Sequence, residues 1–236
     1  MGAYITHNTR LAETSQFEDD DGLYKFYRVP DGVREYAGQL AVHPLAGLIG
    51  VGTVGRTYVN TIEYDFSHVE AAYIWGNGTT RTKITYGYYE PSNLPYANRE
   101  IRLISQRYWI AAWDTAVEIA GGDYFYGDSG TSATVTRYFG DVTVSVFSRV
   151  KSSDEAIAGI SIGIPLTTHL GFQRGPVAVV GMPRFNYARS SSFGNGEGVN
   201  VLRPLLLVEP KPIYNLTTDW LDSERMTPDH ASYSTE

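Results

Sequence analysis

The chain has 236 residues and a formal net charge of −7, which argues against binding to a nucleic-acid backbone. It contains no cysteine, which excludes disulfide bonds and thiolate chemistry. Its 24 glycines and 18 tyrosines favour tightly turned β structure. No run approaches about eighteen consecutive apolar residues, the length of a transmembrane helix, whereas a membrane-spanning β-barrel would leave no such run.

The N-terminal stretch, MGAYITHNTRLAETSQF, lacks the basic start and apolar core of a signal peptide. We therefore expect either a cytoplasmic protein or the mature or trimmed part of a longer one. The acidic run EDDD at residues 18–21 predicts a solvated loop.

A glycine-rich segment, GVGTVG at residues 50–55, matches the G-x-G-x-x-G pattern of dinucleotide-binding loops. That pattern requires a helix immediately afterwards, because the pyrophosphate binds at the helix N-terminus. The residues that follow, RTYVNTIEYDF, are β-branched and aromatic. The segment therefore predicts a barrel strand rather than a nucleotide site, and no cofactor is expected.

Alternation of apolar with small or polar residues predicts strands along most of the chain. Asn77-Gly78 predicts a hairpin, because both residues tolerate a positive φ. Downstream, TKITYGYYE alternates with Ile84, Tyr86 and Tyr88 on one face. The next strand, REIRLISQRYW, opposes Ile101, Leu103 and Trp109 to Glu100, Arg102 and Gln106.

Residues 110–119, IAAWDTAVEI, fit two structures. As a helix the segment lacks an N-cap residue. As a strand it places Thr115, Val117 and Ile119 opposite Asp114, Ala116 and Glu118. Both alternatives stay open at this point.

The following segments complete an all-β pattern. VTVSVFSRV places Val142, Val144 and Val146 on one face, and IAGISIGI does the same with Ile160, Ile162 and Ile164. Turns are predicted at residues 139–141, at residues 151–155 and at Asn195-Gly196. Residues 219–236 predict a polar tail. Strands of about ten residues joined by short turns fit the spacing of an antiparallel up-and-down transmembrane β-barrel at residues 1–218, with about 10 to 14 strands.

The tetrapeptide Gly127-Asp128-Ser129-Gly130 matches the sequence around the nucleophile of chymotrypsin-like serine proteases. A catalytic triad also needs a histidine and an acid, and His7, His43 and His68 lack the surrounding sequence of that family. The histidines are too scattered to predict a metal site. We therefore predict a turn between strands, with no catalytic residue.

The tetrapeptide belongs to a longer pattern, Gly122-x-Tyr124-x-x-Gly127-Asp128-x-Gly130, followed by Arg137-x-Phe139. The pattern resembles the YjbH-domain proteins of Gram-negative bacteria, which are outer-membrane β-barrels encoded with exopolysaccharide or capsule assembly systems. The resemblance covers residues 120–166, where GISIGIPL is similar to a family strand that ends in Pro-Leu. The chain departs from the family at Asp123, Ser129 and Ala158, where the family carries basic residues.

The resemblance implies a non-enzymatic outer-membrane protein that takes part in polysaccharide export or assembly. Its implied partners are outer-membrane lipid, polysaccharide and other proteins of the export system. The pattern residues are expected to be structural, with Tyr124 and Tyr126 on one face of the strand that precedes the turn.

Charged side chains that face lipid are costly, so the polar residues of alternating strands are expected to face a lumen. The candidates for lumen-facing or polysaccharide-facing residues are Glu100, Arg102, Gln106, Glu118 and Arg137. A soluble β-sandwich that binds carbohydrate is the second interpretation, because alternation alone does not distinguish a dry core from lipid. A serine protease is the third.

Overall fold

The structure is a computed structural model that describes residues 2–8, 32–59, 62–75, 78–92, 97–140, 142–152, 156–165, 172–174, 177–179, 184–193, 212 and 216. Within these residues the fold is all-β, and the described helical structure is one 3₁₀ turn at Ala111–Trp113. The predicted acidic loop at residues 18–21, the turn at Asn195-Gly196 and the tail at residues 219–236 lie outside the described residues.

The described residues form thirteen strands. The first seven are β1 Gly2–Asn8, β2 Gly32–Leu45, β3 Leu48–Val59, β4 Ile62–Trp75, β5 Thr80–Pro91, β6 Arg99–Ile110 and β7 Thr115–Asp123. The others are β8 Ser129–Phe139, β9 Val142–Lys151, β10 Ala156–Pro165, β11 Phe172–Arg174, β12 Val177–Val179 and β13 Arg184–Phe193.

Eleven of these strands form one sheet in which each strand pairs with the next along the chain. The order runs from β1 to β10 and ends with β13, and every pairing is antiparallel. The short β11 and β12 pair with each other as a separate ribbon. The all-β, up-and-down antiparallel prediction is therefore confirmed, but the described strands do not close into a barrel.

The hairpins form where the sequence supplies glycine. Gly47, Gly78 and Gly140 have φ values of 80°, 96° and 60° in the turns after β2, β4 and β8. Residues other than glycine rarely adopt these angles, so the three glycines determine where these turns form. The hairpins predicted at Gly78 and at residues 139–141 are confirmed.

Two ambiguous segments are strands. The GVGTVG segment lies inside β3 and pairs with β2 and β4 along its length. Residues 110–119 contain the last residue of β6, a 3₁₀ turn at Ala111–Trp113 and the first part of β7. Asp114 ends the turn with φ 45°, and its backbone N–H donates to the carbonyl of Ala111 at 3.2 Å.

Successive hairpins are staggered in one direction. Leu48, the first residue of β3, pairs with Tyr73, and β4 continues two residues further to Trp75. The same step of two residues separates Tyr108 from Ile110 and Arg137 from Phe139. A regular stagger of this kind is what tilts the strands of a barrel.

Candidate functional site: the polar inner face of the sheet

The two faces of the eleven-stranded sheet differ in burial and in chemistry. The inner face is defined here as the one that carries Thr53, Glu70 and Lys83, and the outer face as the one that carries Val54, Val69 and Ile84. Thr53 is 2 % exposed, whereas its neighbour Val54 is 62 % exposed. At these two positions the distribution is the reverse of that in a soluble protein, where apolar side chains are usually the buried ones.

The reversal continues from β2 to β10. Each of these strands presents an exposed apolar side chain on the outer face: Leu40, Val54, Val69, Ile84, Ile104, Ile119, Val135, Val146 and Ile160. Inner-face positions are often charged or hydroxylated, for example Glu35, Thr53, Glu70, Lys83, Arg107, Glu118, Thr134, Thr143 and Ser161. No second layer covers the outer face within the described residues.

Glu70 is the centre of the buried polar contacts. Its Oε1 lies 3.2 Å from Lys83 Nζ and 3.7 Å from His68 Nε2. Its Oε2 accepts a hydrogen bond of 2.5 Å from the backbone N–H of Leu216. A carboxylate that is 2 % exposed needs such partners, because a buried charge without them is strongly destabilising.

Leu216 connects a distant part of the chain to this network. Its side chain is fully buried and packs in a cluster with Val51 and Ala72. Its carbonyl accepts a hydrogen bond of 2.9 Å from Arg81 NH1. Both backbone polar groups of Leu216 are therefore held by charged side chains of the inner face.

A row of charged residues crosses β5, β6 and β7 beside Leu216. Arg81 pairs in register with Arg107, and Arg107 pairs with Glu118. Arg81 NH2 lies 3.5 Å from Glu118 Oε2, and Arg107 NH2 donates to the hydroxyl of Tyr138 at 2.6 Å. Two arginines side by side repel, so the acceptors beside them are needed to hold the row.

An aromatic cluster fills the inner face at one end of β4 and β5. Tyr64, Phe66 and Tyr89 are buried there with Ala37 and Ile101. Phe66 stacks on Tyr89 at a centroid distance of 5.7 Å. Phe66 and Tyr89 are register partners, and Phe66 lies two same-face positions before Glu70 along β4. The cluster therefore lies on the inner face, which also carries the charged network.

The pattern of the YjbH-domain resemblance lies at the same end, in the connection between β7 and β8. We call residues 124–128 the inward loop. Phe125 is 1 % exposed and packs edge-on against Tyr64 and Tyr89 at 5.5 and 5.2 Å. Tyr124 lies under the guanidinium of Arg149, 3.7 Å from its ring centroid. The loop therefore turns onto the inner face.

The expectation that Tyr124 and Tyr126 share a strand face is wrong. β7 ends at Asp123, and both tyrosines lie in the inward loop. The backbone closes there, because the Tyr124 N–H donates to the Asp128 carbonyl and the Gly127 N–H donates to the Tyr124 carbonyl. The chain leaves the strand here because the side chain of Phe125 packs in the aromatic cluster.

The glycines of the pattern have defined positions. Gly122 and Gly130 pair with each other at the base of the inward loop. A Cβ on Gly122 would lie 1.9 Å from the Arg102 carbonyl, and one on Gly130 would lie 2.2 Å from the Val150 carbonyl. Only glycine fits at either position without moving a neighbouring strand.

The remaining pattern residues are Gly127, Asp128 and Phe139. Gly127 has φ 80° in the inward loop. Asp128 Oδ2 lies 3.7 Å from Lys151 Nζ and 4.0 Å from Arg149 NH1. Phe139 is exposed at the end of β8, with the guanidinium of Arg137 5.2 Å from its ring centroid.

Ser129 begins β8 and takes part in a polar junction. Its hydroxyl donates to Asp123 Oδ1 at 2.5 Å. Its carbonyl accepts hydrogen bonds from the backbone N–H and the hydroxyl of Ser152, at 2.9 and 2.7 Å. These contacts tie the inward loop to the turn after β9, in agreement with the predicted turn between strands.

The sheet separates the five predicted lumen candidates. Glu118 lies on the inner face beside Arg81 and Arg107. Glu100, Arg102, Gln106 and Arg137 lie on the outer face, where Glu100 and Arg102 form an ion pair. In β6 the inner positions are taken by Ile101, Leu103, Ser105, Arg107 and Trp109, so the residues that alternate with them, Glu100, Arg102 and Gln106, point outward.

Sequence reasoning missed the central residues of the inner face: Glu70, Arg81, Lys83 and Arg107. The signal was present for Lys83, since Thr85 and Lys83 alternate with Ile84 and Tyr86 in β5. Within the described residues, no three histidine or acidic side chains form a group that could hold a metal ion.

The ends of the outer face also differ. Five of the seven exposed aromatic residues in the described part of the chain lie at the end with the hairpin turns after β4, β6 and β8: Tyr73, Trp75, Tyr108, Trp113 and Phe139; of the other two, Tyr36 lies towards the opposite end. The opposite end carries polar pairs, such as Arg56 with Asp65 at 2.6 Å and Asn98 with Tyr88 at 2.5 Å. We call these the turn end and the loop end.

No family model, curated protein or solved structure matches this chain. In the part of the chain that the structure describes, no helix has the length and apolar character needed to cross a membrane.

Proposed function

We propose that this chain forms the wall of an outer-membrane β-barrel whose polar inner face lines a lumen. The observation that carries the proposal is the sheet itself, in which every strand from β2 to β10 exposes an apolar side chain on the outer face while charged residues are buried on the inner face. A lipid bilayer is the solvent in which such a face is stable, because apolar surface of this extent is costly in water.

Strand length and stagger support the same proposal. A membrane-spanning strand needs about 9 to 11 residues. Strands β2 to β6 have 12 to 14 residues and β7 to β10 have 9 to 11. Aromatic side chains at the turn end are in the position of an interfacial girdle.

The proposed cargo is polysaccharide, and this part depends on the resemblance of residues 120–166 to the YjbH-domain proteins. The inner face offers charged and hydroxyl groups that suit a hydroxylated polymer. The proposed role is passive, in export or assembly, without a chemical step.

Partitioning tests the membrane part. The chain is expressed with a heterologous signal sequence, and the outer-membrane fraction is run on a gel with and without boiling. A band that shifts on heating supports a closed barrel. A soluble, monomeric, β-rich product that needs no detergent contradicts it and supports a carbohydrate-binding sandwich.

Orientation gives a second test, because barrels place short turns in the periplasm and longer loops outside. Ala97 lies at the loop end and Ala112 at the turn end, and both are exposed. The chain has no cysteine, so each Ala→Cys variant carries a single thiol. An impermeant maleimide should label Ala97→Cys on intact cells and Ala112→Cys only after permeabilisation; the opposite pattern would reverse the orientation.

A further inference from the structure

The inward loop makes contacts across much of the inner face. On one side Phe125 reaches Tyr64 of β4 and Tyr89 of β5. On the other side Tyr124 donates a hydrogen bond of 3.0 Å to Ser132 of β8 and stacks with Arg149 of β9. Five residues therefore bridge strands from β4 to β9 at the loop end.

The two anchors of the loop differ in kind. Phe125 is fully buried among aromatic rings, so its anchor is apolar. Asp128 is held by charge, since its Oδ2 lies 3.7 and 4.0 Å from the basic groups of Lys151 and Arg149 and accepts no hydrogen bond from the described residues. Contacts at these distances depend on net charge rather than on directed bonding.

We propose that the inward loop is a gate that closes the loop end of the lumen, with Asp128 as its releasable latch and Phe125 as its anchor. This inference rests on the proposed function. Breaking the Asp128 contacts weakens one side of the loop, where the contacts of Tyr124 with Ser132 and Arg149 remain. The sheet stays intact, because none of the strand pairings involves the latch carboxylate. The lumen then opens at the end that the orientation test assigns to the cell exterior.

The test uses the full chain in planar lipid bilayers, with Asp128→Asn, Phe125→Ser and the control Asp65→Asn. Asp65 is also a carboxylate paired with arginine, but it lies on the outer face. Asp128→Asn should raise the open fraction about fivefold, as expected for the loss of two partly exposed ion pairs. Phe125→Ser should raise it further, and Asp65→Asn should match the unsubstituted protein.

A second measurement does not depend on conduction. Tyr126→Cys places the single thiol of the chain in the loop, and its labelling by maleimide should be faster in the Asp128→Asn background than in the Asp65→Asn background. Equal labelling or equal conductance in these two backgrounds overturns the gate, provided that both proteins keep a heat-modifiable band. Absence of that band in the unsubstituted protein instead overturns the proposed function.

Discussion

The inner face has two unlike halves. Between β4 and β6 it carries large side chains, among them Tyr64, Phe66, Glu70, Lys83 and Arg107, and these are buried against one another. Between β8 and β10 it carries many small ones, among them Ser132, Thr134, Thr136, Ser145 and Ser161, beside larger ones such as Tyr138, Phe147 and Arg149. We call these the filled half and the small-residue half.

The difference shows how one sheet can combine rigidity with space. In the filled half, charges and rings satisfy each other, so the wall is fixed by buried contacts such as Lys83 with Glu70. In the small-residue half, short hydroxyl side chains such as Ser132 and Thr134 occupy the inner face, and Tyr124 of the inward loop lies there, bonded to Ser132. A passage beside the wall would therefore run along β8 to β10.

The largest expected effect comes from the filled half. Glu70→Gln removes the carboxylate that faces Lys83, and breaking a buried ion pair in this way costs about 3 to 5 kcal/mol in the free energy of unfolding. Urea unfolding in detergent measures it. The double variant Glu70→Gln with Lys83→Met should recover much of the loss. If Glu70→Gln lowered the free energy of unfolding by less than Thr134→Val in the small-residue half, the proposed difference between the halves would be contradicted.

The next effect distinguishes the faces within the small-residue half. Val135 is exposed on the outer face, and its neighbour Thr134 lies on the inner face. Val135→Lys should destabilise the protein by about 2 to 4 kcal/mol if lipid contacts that face. Thr134→Lys should be much milder, because on the proposed barrel its ammonium would enter a polar lumen. Folding yield into lipid vesicles measures both, and equal yields would count against the membrane proposal.

A smaller effect is expected at the boundary between the halves, where Gly122 of β7 meets the backbone of β6. Gly122→Ala introduces a Cβ against the Arg102 carbonyl at a φ of 138°, so we expect a loss of about 1 to 3 kcal/mol in unfolding free energy. Gly121→Ala is the matched control, because its nearest contact would be an ordinary 3.6 Å. Equal melting temperatures for the two variants would contradict the close approach.

Much of this sheet could be predicted from local sequence. Alternation indicated the strands around Lys83, Val144 and Ile162, and glycine indicated the hairpins at Gly78 and Gly140, because both signals act over a few residues. Local sequence does not predict which face of the sheet is buried. A strand such as β6, with Ile101 and Trp109 opposite Arg102, alternates identically whichever side faces inward.

Contacts between distant parts of the chain were also out of reach. Leu216 binds Glu70 across 146 residues, and nothing in its local sequence marks it. For the first part of the inward loop the sequence predicts a strand, because Tyr124 and Tyr126 alternate with Phe125. The loop turns inward because Phe125 packs against Tyr89 and Tyr64, which lie on β5 and β4, two and three strands from β7 in the sheet.

The smallest effect is expected for Ser129→Ala, at the edge of the small-residue half. The change removes the hydrogen bond from the Ser129 hydroxyl to Asp123, and such a bond contributes about 1 kcal/mol. The bonds from Ser152 are kept, because they use the backbone carbonyl of residue 129. We expect a melting temperature only slightly lowered and no change in the hydrolysis of peptide or ester substrates. Hydrolysis by the unsubstituted protein that disappears in Ser129→Ala would make this serine a nucleophile, and the small-residue half would then be the floor of an active site rather than the side of a passage.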